Sequence, residues 1–441
     1  MKKAMVYGAG LSGLGAENLL KEIGYEVLLV DDKKAMSSEE ALKYLEGISL
    51  FIKSPGIPYT KLVKEADKAG IEIIDELELA YREVSKEKTP PKLIAVTGTN
   101  GKTTVTTKIK EMLQFAGKRC EYAGNIGKSF AQLTLDIKDG RVLDYIVLEM
   151  SSYQLENLKE FRADISMVIN LAPDHLDRYN SAKEYYDTKL NIAMNQTIGD
   201  IFILNIDSSE IIKRLSRISA NKFIVSKNNS AADIHCSNGR VVSEEGIIAE
   251  AEKFALKGEH NLENMLFILA VGRLTGVTDE VMREFLYNTN SLEHRMEEFL
   301  RVDNTLFVND SKGTNIESTL MAVEAYKDPI VVCGGVDKKL DLEPLIEGLK
   351  DRCKGIYLIG EIGDGLEEQL TEAGYPAEKI YNGKTLERVV EKMAEQVDVS
   401  EKQVILLSPA TASFDQFKNY LERGNTFKRL IIEHFEKGEK E

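Results

Sequence analysis

One stretch near residue 100 restricts the fold of this chain more than any other feature. The apolar segment Leu93–Thr97 leads into a loop with two glycines, Gly98 and Gly101, and a helical pattern follows over Thr103–Ala116. A strand that passes through a tight turn into a helix is the repeating unit of parallel α/β sheets. The first N–H groups of such a helix point towards the loop and favour a bound anion. We therefore predict an α/β fold with a phosphate-binding loop in the middle of the chain.

The side chains of this loop are suited to a nucleoside triphosphate. Lys102 offers a cation to the β- and γ-phosphates, and the hydroxyl of Thr103 can bind Mg²⁺. The loop departs from the usual phosphate-loop pattern GxxxxGK[ST], because Val96 occupies the place of the first glycine and Gly98 follows two residues later. An ordinary strand–turn–helix corner would not require Lys-Thr-Thr after a glycine. The predicted ATP contacts are Gly98, Thr99, Asn100, Gly101, Lys102, Thr103 and Thr104.

The alternation of strands and helices begins three times along the chain. The charged segment Ser85–Lys92, with two adjacent prolines, is predicted to be a linker, and a third start lies near Leu292. We predict an α/β architecture of three domains: Rossmann-like (1–91), central P-loop ATPase-type with a parallel sheet (92–291) and Rossmann-like again (292–441). The expected strands are Lys3–Tyr7, Glu26–Val30, Leu50–Lys53, Leu93–Thr97, Tyr145–Leu148, Ile165–Asn170, Ile201–Asn205, Thr305–Val308, Ile330–Val332, Ile356–Ile359 and Val404–Leu407, with a small β insertion over Asn228–Glu252.

A second glycine-rich turn lies near the start of the chain. Gly8–Gly13 (GAGLSG) follows the first predicted strand, and Asp31 comes eighteen residues after Gly13. This pattern is typical of a turn that holds a pyrophosphate. NAD and a nucleotide-diphosphate sugar both contain that group, so the motif does not distinguish them, and a purely structural turn fits the same residues.

Bulk composition excludes several functions. A net charge of −15 over 441 residues argues against a general nucleic-acid binder, because phosphate backbones require a basic surface. No apolar run reaches the roughly 18 residues of a membrane-spanning helix. We predict a monomeric cytoplasmic protein that acts on small molecules, with no nucleic-acid partner and no membrane insertion. Reduced thiols are expected at the four cysteines, which show no metal-binding spacing: Cys120, Cys236, Cys333 and Cys353.

Further motifs give the chain a family resemblance. The loop TGTNGKTT (Thr97–Thr104) resembles the ATP loop of the Mur ligases and the folylpolyglutamate synthetases. The remaining motifs resemble the Mur ligases that add D-glutamate, and no Asp-Asn-Pro-Arg motif of the diamino-acid-adding ligases is present. These motifs are Gly124–Gly127 (GNIG), Leu148–Leu155 (LEMSSYQL), Asp174–Asp177 (DHLD), Lys189, His260-Asn261, His294-Arg295, Asn309–Lys312 (NDSK), Ser408–Phe417 (SPATASFDQF) and Arg423–Asn425 (RGN).

The resemblance implies a reaction. ATP phosphorylates the alanyl carboxylate of UDP-N-acetylmuramoyl-L-alanine (UDP-MurNAc-L-Ala) to an acyl phosphate, which the amine of D-glutamate then attacks. A tetrahedral intermediate collapses and releases phosphate, giving UDP-MurNAc-L-Ala-D-Glu and ADP for peptidoglycan precursor synthesis. Positioning and charge neutralisation dominate such a phosphoryl transfer.

The resemblance also implies roles for individual residues, including two Mg²⁺ ions. Lys102, Glu149, His175 and Lys189 are the expected catalytic residues. The sequence around Lys189 alone indicates a surface lysine on a helix, whereas the resemblance implies that Lys189 is carbamylated by CO₂. The expected metal contacts are Thr103, Glu149, His175 and Lys189. Further ATP contacts are expected at Asn261, Asn264, Arg295, Asp310 and Lys312. The sugar-nucleotide contacts are expected at Leu11, Ser12, Asp32, Lys33, Ser54, Gly56, Asn125, Ser151 and Gln154, and the D-glutamate contacts at Thr314, Lys338, Ser413 and Tyr420.

Three alternatives compete with this interpretation. A nucleotide-binding sensor without ligase activity would keep the loops, but it would not need Glu149, His175 and Lys189 together. An NAD-dependent oxidoreductase would explain Gly8–Gly13, but no second feature supports a nicotinamide site. Another amino-acid ligase of the Mur type would share the mechanism and differ in the residues that hold the amino acid.

The expected ATP contacts come from both the central and the third predicted domain. Two domains that bind one nucleotide must close over it, so we also predict a hinge near Asn288–His294.

Overall fold

The computed structural model describes residues 2–174, 178–256, 258–337, 339 and 341–436. Its strands form three sheets of four, nine and six strands. The chain divides into two compact units. The larger unit comprises Met1–Phe254 and Leu262–Tyr287, and the smaller comprises Ala255–Asn261 and Asn288–Glu441. Within the described part of the chain, no helix has the length and apolar character needed to cross a bilayer.

The first sheet is entirely parallel, in the order β2-β1-β3-β4. Its helices cover the strands because each strand is followed by a segment with apolar residues on one face. The side chain of Asp75 caps α4 by accepting a hydrogen bond from the Leu77 N–H. The elements are β1 (Lys3–Tyr7), α1 (Leu11–Glu22), β2 (Glu26–Val30), α2 (Ser38–Ala41), β3 (Ile48–Lys53), α3 (Lys61–Lys68), β4 (Glu72–Ile74) and α4 (Glu76–Val84).

The second sheet has the order β13-β12-β11-β10-β9-β8-β5-β7-β6, and only its β11–β12–β13 end is antiparallel. This end is the predicted β insertion. The elements are β5 (Lys92–Thr97), α5 (Lys102–Phe115), β6 (Cys120–Gly124), α6 (Phe130–Lys138), β7 (Tyr145–Glu149), β8 (Ile165–Val168), α7 (Ala182–Lys189), β9 (Ile201–Asn205), α8 (Ser209–Ile212), β10 (Asn221–Ser226), β11 (Ile234–Ser237), β12 (Arg240–Ser243), β13 (Gly246–Glu250), α9 (Glu259–Leu274) and α10 (Asp279–Asn288).

The first two sheets share one hydrophobic core in the larger unit. Buried residues of β1, such as Val6, belong to the same apolar cluster as Ala95 of β5 and Leu148 of β7. Helices α1 and α4 both pack against α6, and Gly15 of α1 lies so close to Ser129 that a Cβ would overlap its hydroxyl. The linker Ser85–Lys92 therefore joins two sheets that pack together. The predicted boundary at 91/92 stays a prediction.

The third sheet forms the smaller unit, in the order β14-β15-β19-β16-β17-β18. Its strands are parallel except for the β14–β15 hairpin. The elements are β14 (Glu297–Val302), β15 (Thr305–Asn309), α11 (Ile316–Glu324), β16 (Ile330–Gly334), α12 (Glu343–Arg352), β17 (Gly355–Ile359), α13 (Gly363–Glu372), β18 (Ile380–Lys384), α14 (Leu386–Gln396), β19 (Gln403–Leu407) and α15 (Tyr420–Phe435). Three parallel-dominated sheets with covering helices confirm the predicted α/β fold class.

Candidate active site

The phosphate loop has the predicted strand–loop–helix geometry. β5 ends at Thr97 and α5 begins at Lys102. Gly98 and Gly101 have φ angles of 154° and 81°, which side-chain-bearing residues rarely adopt. The Lys102 ammonium donates to the carbonyls of Gly98 (2.8 Å) and Thr99 (2.7 Å), so it lies folded over the loop. The cation and the first N–H groups of α5 are thus in place for an anion.

The phosphate loop is held by contacts with the segment after β8 and with helix α9. The Asn100 N–H donates to the side-chain oxygen of Asn170 (2.9 Å), and the Thr99 N–H donates to its carbonyl (3.0 Å). Asn264 on α9 lies against Gly101 so closely that a Cβ there would overlap its side-chain oxygen. Asn170 was not predicted as a site residue; its position as a polar residue at the end of the apolar run that forms β8 is the signal that could have identified it.

Glu149 lies at the end of β7, next to the strand that leads into the phosphate loop. Its side chain is 1% exposed. One carboxylate oxygen, Oε1, accepts a hydrogen bond from the Asn125 amide (2.7 Å), whereas Oε2 is buried and has no hydrogen-bond partner among the residues that the structure describes. A buried oxygen of this kind is costly unless something binds it. It is a hard oxygen ligand, and therefore the residues fit the Mg²⁺ that the family resemblance implies.

Lys189 is not the surface lysine that its sequence context suggests. It ends α7 and is 1% exposed, and its ammonium donates to the Gly98 carbonyl (2.8 Å). The ring of Tyr185 lies 4.7 Å from the Lys189 Nζ. Burial lowers the pKa of Lys189 well below its usual value, and the nearby Lys102 cation lowers it further, while Asp174 and Glu149 oppose this. Lys189, Lys102 and the phosphate loop are therefore one cluster.

Asn125, Ser151 and Gln154 lie on the same edge of the second sheet. The Asn125 N–H donates to the Glu149 carbonyl (2.9 Å). Both the N–H and the hydroxyl of Ser151 donate to the Gln154 side-chain oxygen at 3.0 Å. These contacts bring three of the predicted sugar-nucleotide residues to the segments directly beside Glu149.

The glycine turn of the first sheet is held by an aspartate and a serine. Gly8 has a φ of 110°, and the Ala9 N–H donates to the Asp31 carboxylate (2.8 Å). A Cβ on Gly13 would overlap the Gly8 carbonyl, so only glycine permits this approach of α1. The Ser54 hydroxyl lies 3.5 Å from the same carbonyl. The hydrogen bond from Ala9, followed by that from Lys33, holds the pKa of Asp31 below its usual range.

The other predicted sugar-nucleotide residues surround this turn. Leu11 begins α1 and is 77% exposed, Ser12 follows it, and Lys33 is exposed after β2. The Asp32 carboxylate accepts hydrogen bonds from the Ser38 N–H (2.6 Å) and the Tyr7 hydroxyl (3.2 Å), so it also fixes the loop before α2. Gly56 lies in the turn after β3.

In the smaller unit, Asp310 directly follows β15 and is 6% exposed. Its carboxylate accepts from the Ser408 hydroxyl (2.8 Å) and the Met296 N–H (3.2 Å). Burial raises the pKa of Asp310 to about 7, although these hydrogen bonds lower it. The Ala410 N–H donates to the Gly313 carbonyl (3.0 Å), which ties together the loops after the neighbouring strands β15 and β19.

The predicted D-glutamate residues lie on these loops and on α15. Thr314 follows β15, Ser413 follows β19, and Tyr420 is the first residue of α15. The Lys312 ammonium lies 3.9 Å from the centre of the Tyr420 ring. Arg295 and Asn261 also belong to the smaller unit. Two predicted residues, His175 and Lys338, lie outside the described residues.

One residue of the smaller unit was missed as a site residue. Arg423 on α15 is 1% exposed, and its guanidinium donates to the carbonyls of Ser311 (2.9 Å) and Thr411 (3.2 Å). Burial lowers the pKa of Arg423 to about 10. Arg423 thus fixes both loops that carry Lys312 and Ser413. The signal was present, because Arg423-Gly424-Asn425 is one of the motifs of the family resemblance, but the position of an arginine within a helix does not reveal such a role.

Comparisons with known proteins show which family the chain resembles over its length. The family description "Mur ligase middle domain" matches residues 96–272. A UDP-N-acetylmuramoylalanine–D-glutamate ligase of Fusobacterium nucleatum is 48% identical over 435 residues, covering 99% of this chain and all of the relative. An enzyme of the same name from Caldanaerobacter subterraneus is 34% identical, covering 98% of each chain.

Solved structures show the same fold at low sequence identity. MurF ligase from Thermotoga maritima, solved in complex with ADP, has a TM-score of 0.62 at 18% identity and covers 90% of this chain and 91% of its own. The MurC UDP-N-acetylmuramate–alanine ligase from the same organism has a TM-score of 0.61 at 15% identity, with 97% and 98% covered. The three-sheet architecture is therefore that of known ligases.

Proposed function

We propose roles for the residues described above in a chain that belongs to the Mur ligase family. Its 48% identity to a relative over the full length shows this membership. The chain is an ATP-dependent ligase that joins D-glutamate to UDP-MurNAc-L-Ala, in peptidoglycan precursor synthesis. The carboxylate is phosphorylated to an acyl phosphate, the amine attacks, and the products are UDP-MurNAc-L-Ala-D-Glu, ADP and phosphate. We also infer that the enzyme works as a monomer in the cytoplasm, where its nucleotide substrates are available.

The phosphate loop binds and orients ATP. The N–H groups at the start of α5 and the Lys102 ammonium face the β- and γ-phosphates, and they neutralise the charge that moves during transfer. Lys102 already contacts the Gly98 and Thr99 carbonyls, so ATP binding exchanges these contacts for phosphate contacts. Asn264, which lies against Gly101, contacts the nucleotide from the same unit. Asn261, Arg295, Asp310 and Lys312 supply the remaining ATP contacts from the smaller unit.

Glu149 and Thr103 would hold one Mg²⁺, and His175 and Lys189 would hold a second. The support is the buried, unpartnered Oε2 of Glu149 beside the phosphate loop. When bound, Mg²⁺ neutralises phosphate charge and favours attack on the γ-phosphorus. The Asn125 amide fixes the Glu149 carboxylate through its other oxygen (2.7 Å).

Lys189 would act as a carbamate. Only a neutral amine reacts with CO₂, and burial together with the Lys102 cation lowers the pKa of Lys189. The ammonium first loses one proton, and attack of the neutral amine on CO₂ then forms an N–C bond and releases a second proton, so that a buried cation becomes a carboxylate-like anion. Such a group attracts Lys102 where the unmodified ammonium repels it.

The two substrates are bound by residues of different units. Leu11, Ser12, Asp32, Lys33, Ser54 and Gly56 of the first sheet, with Asn125, Ser151 and Gln154 of the second, would bind the sugar nucleotide. Thr314, Lys338, Ser413 and Tyr420 would bind D-glutamate in the smaller unit. The support is that the described members of both sets, Tyr420 apart, lie in segments that follow the carboxyl ends of strands, where α/β sheets bind ligands. Arg423 keeps the loops of Ser413 and Lys312 in place.

One observation carries these assignments: Lys102, Lys189 and the phosphate loop meet at the Gly98 carbonyl, and Glu149 ends the neighbouring strand. The test is to incubate the protein with ATP, Mg²⁺, UDP-MurNAc-L-Ala and a panel of amino acids and to measure phosphate release. Release is expected with D-glutamate only. No release with D-glutamate, or equal release with L-lysine, would overturn the proposed specificity.

A further inference from the structure

The carboxylate of Glu156 lies at a meeting point of three segments in the larger unit and has no role in the mechanism above. Its oxygens accept hydrogen bonds from Arg178 Nε (3.1 Å) and Nη2 (2.8 Å) and from the Tyr179 hydroxyl (3.0 Å). The ammonium of Lys53 lies 3.9 Å from Oε2. The side chain of Glu156 is 12% exposed. The Glu156 carboxylate thus connects its own segment with the segment that contains Lys53 and with the segment that contains Arg178.

Two of these segments carry proposed sugar-nucleotide contacts. Lys53 is the last residue of β3 and directly precedes Ser54, and Gly56 follows in the same turn. Glu156 itself comes two residues after Gln154. Glu156 therefore connects the first-sheet part of the proposed substrate site to its second-sheet part.

Lys53 shapes the turn that holds Ser54 and Gly56. Its ammonium donates to the Ile57 carbonyl (2.9 Å), and the Ile57 N–H donates to the Ser54 carbonyl (3.0 Å). Lys53 is 0% exposed, so its charge needs a partner within the protein. Burial lowers the pKa of Lys53, and the negative charge of Glu156 opposes that shift.

A second pair connects the same two segments. The Tyr59 hydroxyl donates to the Asn157 side-chain oxygen (2.9 Å), one residue after Glu156. The Arg178 guanidinium lies 4.3 Å from the centre of the Tyr153 ring, next to Gln154. The Tyr59–Asn157 hydrogen bond limits how far the turn after β3 can move from the segment after β7, and the Arg178–Tyr153 contact holds the Arg178 side chain against that same segment.

We propose that Glu156 is a positioning residue for the sugar-nucleotide substrate. It holds the Ser54–Ile57 turn, through Lys53, at a fixed distance from Gln154, so that both parts of the site are formed before the substrate arrives. A preformed site binds more tightly because less ordering is lost on binding. The inference rests on the proposed sugar-nucleotide site and adds to it a residue that does not touch the substrate.

The test compares Glu156→Gln with Asp200→Asn. Asp200 also binds an arginine through both oxygens, Arg162 at 2.8 and 2.9 Å, but it precedes β9 and so lies at the amino ends of the strands. Calorimetric titration with UDP-MurNAc-L-Ala in the absence of ATP gives the Kd, and steady-state assays give kcat and both KM values. Glu156→Gln is expected to raise the Kd and KM for the sugar nucleotide about tenfold, with the ATP KM within about twofold and Asp200→Asn near wild type.

Several outcomes would overturn the positioning role. One is an equal effect of Glu156→Gln and Asp200→Asn on the sugar-nucleotide Kd, and another is an equal rise in the ATP KM. Should Glu156→Gln unfold, Tyr59→Phe removes a single hydroxyl from the same connection. A raised Kd then supports the role, and an unchanged Kd with an unchanged Tm overturns it.

A separate variant distinguishes this inference from the proposed site. Gln154→Ala removes a proposed direct contact. If it leaves the Kd unchanged, the proposed sugar-nucleotide site is wrong. If Gln154→Ala weakens binding and Glu156→Gln does not, the site stands and only the positioning role of Glu156 is wrong.

Discussion

Single residues of the site differ in how far their sequence context reveals them. The glycines of the phosphate loop and Lys102 follow from local pattern, because a strand end and a helix start fix where they lie, whereas the role of Glu149 was predicted from the motif of the family resemblance. Lys189 does not, because its contact with the Gly98 carbonyl joins residues 91 positions apart. Its burial depends on how α7 packs, which no nearby residue encodes. For such residues the family resemblance supplied the prediction, and the local pattern indicated a surface lysine.

The Lys189 carbamate gives a prediction at this scale. Lys189→Ala should lower phosphate release by roughly 100-fold or more, because a charged group at the reacting phosphates is lost. Added bicarbonate should not restore it. In ¹³C-bicarbonate, NMR should show a carbamate signal for the wild type and none for Lys189→Ala. Lys108 provides the control, since it is also buried (2% exposed) but lies 2.7 Å from the Glu111 carboxylate. A signal that persists in Lys189→Ala and vanishes in Lys108→Ala would contradict the assignment.

The unpartnered oxygen of Glu149 gives a second prediction. Glu149→Gln replaces a buried carboxylate with a neutral amide of the same shape. Without Mg²⁺ and ATP, the Tm should stay the same or rise, because a neutral group is less costly to bury than a carboxylate with one oxygen left unpaired within the described part of the chain. Ligation should nevertheless fall by roughly 100-fold, with a higher Mg²⁺ concentration needed for half-maximal activity. Asp200→Asn serves as the control. A variant that keeps the wild-type Mg²⁺ dependence would show that Glu149 binds no metal.

At the scale of elements, most interior strands were predictable and most edge strands were not; the exceptions include β2, an edge strand that was predicted, and β10, an interior strand that was not. Strands such as β9, over Ile201–Asn205, match their predicted bounds, because a strand covered on both faces is a continuous apolar run. Of the five strands without a prediction, four lie at the edges of their sheets: β4, β6, β14 and β18. Edge strands face solvent on one side and carry polar residues, as in Ile380–Lys384 (IYNGK), so their pattern resembles that of a loop.

Contacts between helices give a prediction about pH. Glu76, the first residue of α4, accepts a hydrogen bond from the Ala131 N–H near the start of α6, and no described residue donates a hydrogen bond to its other oxygen. Burial, and then the charge of Asp75, raises the pKa of Glu76 to about 8 from the model-compound value of 4.5. The folded state therefore holds this proton more tightly than the unfolded state. Stability is fully present below about pH 4.5 for this group and falls as the pH rises towards 8.

Glu76→Gln should reduce this loss. Urea unfolding followed by circular dichroism at pH 5.5 and pH 8.0 should show a smaller stability difference for the variant than for the wild type, by at least ~1 kcal/mol. Glu39 provides the control, because it also lies in the first turn of a helix, α2, but is exposed. If Glu39→Gln and Glu76→Gln have the same effect, the burial of Glu76 is not the cause.

For the whole molecule, the boundary between the two compact units does not coincide with the linker that the sequence predicts. The proline-containing linker Ser85–Lys92 joins two sheets with a shared core, whereas the larger and smaller units divide at Asn288, where no proline or glycine run marks the chain. Shared cores depend on helix faces such as those of α1, α4 and α6, which are distant in sequence. Asn261 and Asn264 on α9 also fall in different units.

This division leads to the last prediction, which concerns closure. The phosphate loop belongs to the larger unit, and the expected ATP contacts Arg295, Asp310 and Lys312 belong to the smaller one. If one nucleotide contacts both units, as proposed, its binding should bring them together, with the predicted hinge at Asn288–His294. Small-angle X-ray scattering should show a smaller radius of gyration with a non-hydrolysable ATP analogue, Mg²⁺ and UDP-MurNAc-L-Ala than without ligands. Lys102→Ala, which lacks the cation of the phosphate loop, should show a much smaller change at the same ligand concentrations. Closure would be contradicted if the radius of gyration stayed unchanged in a wild-type sample that calorimetry shows to be saturated with ligand. The two units would then keep the same arrangement with and without the nucleotide.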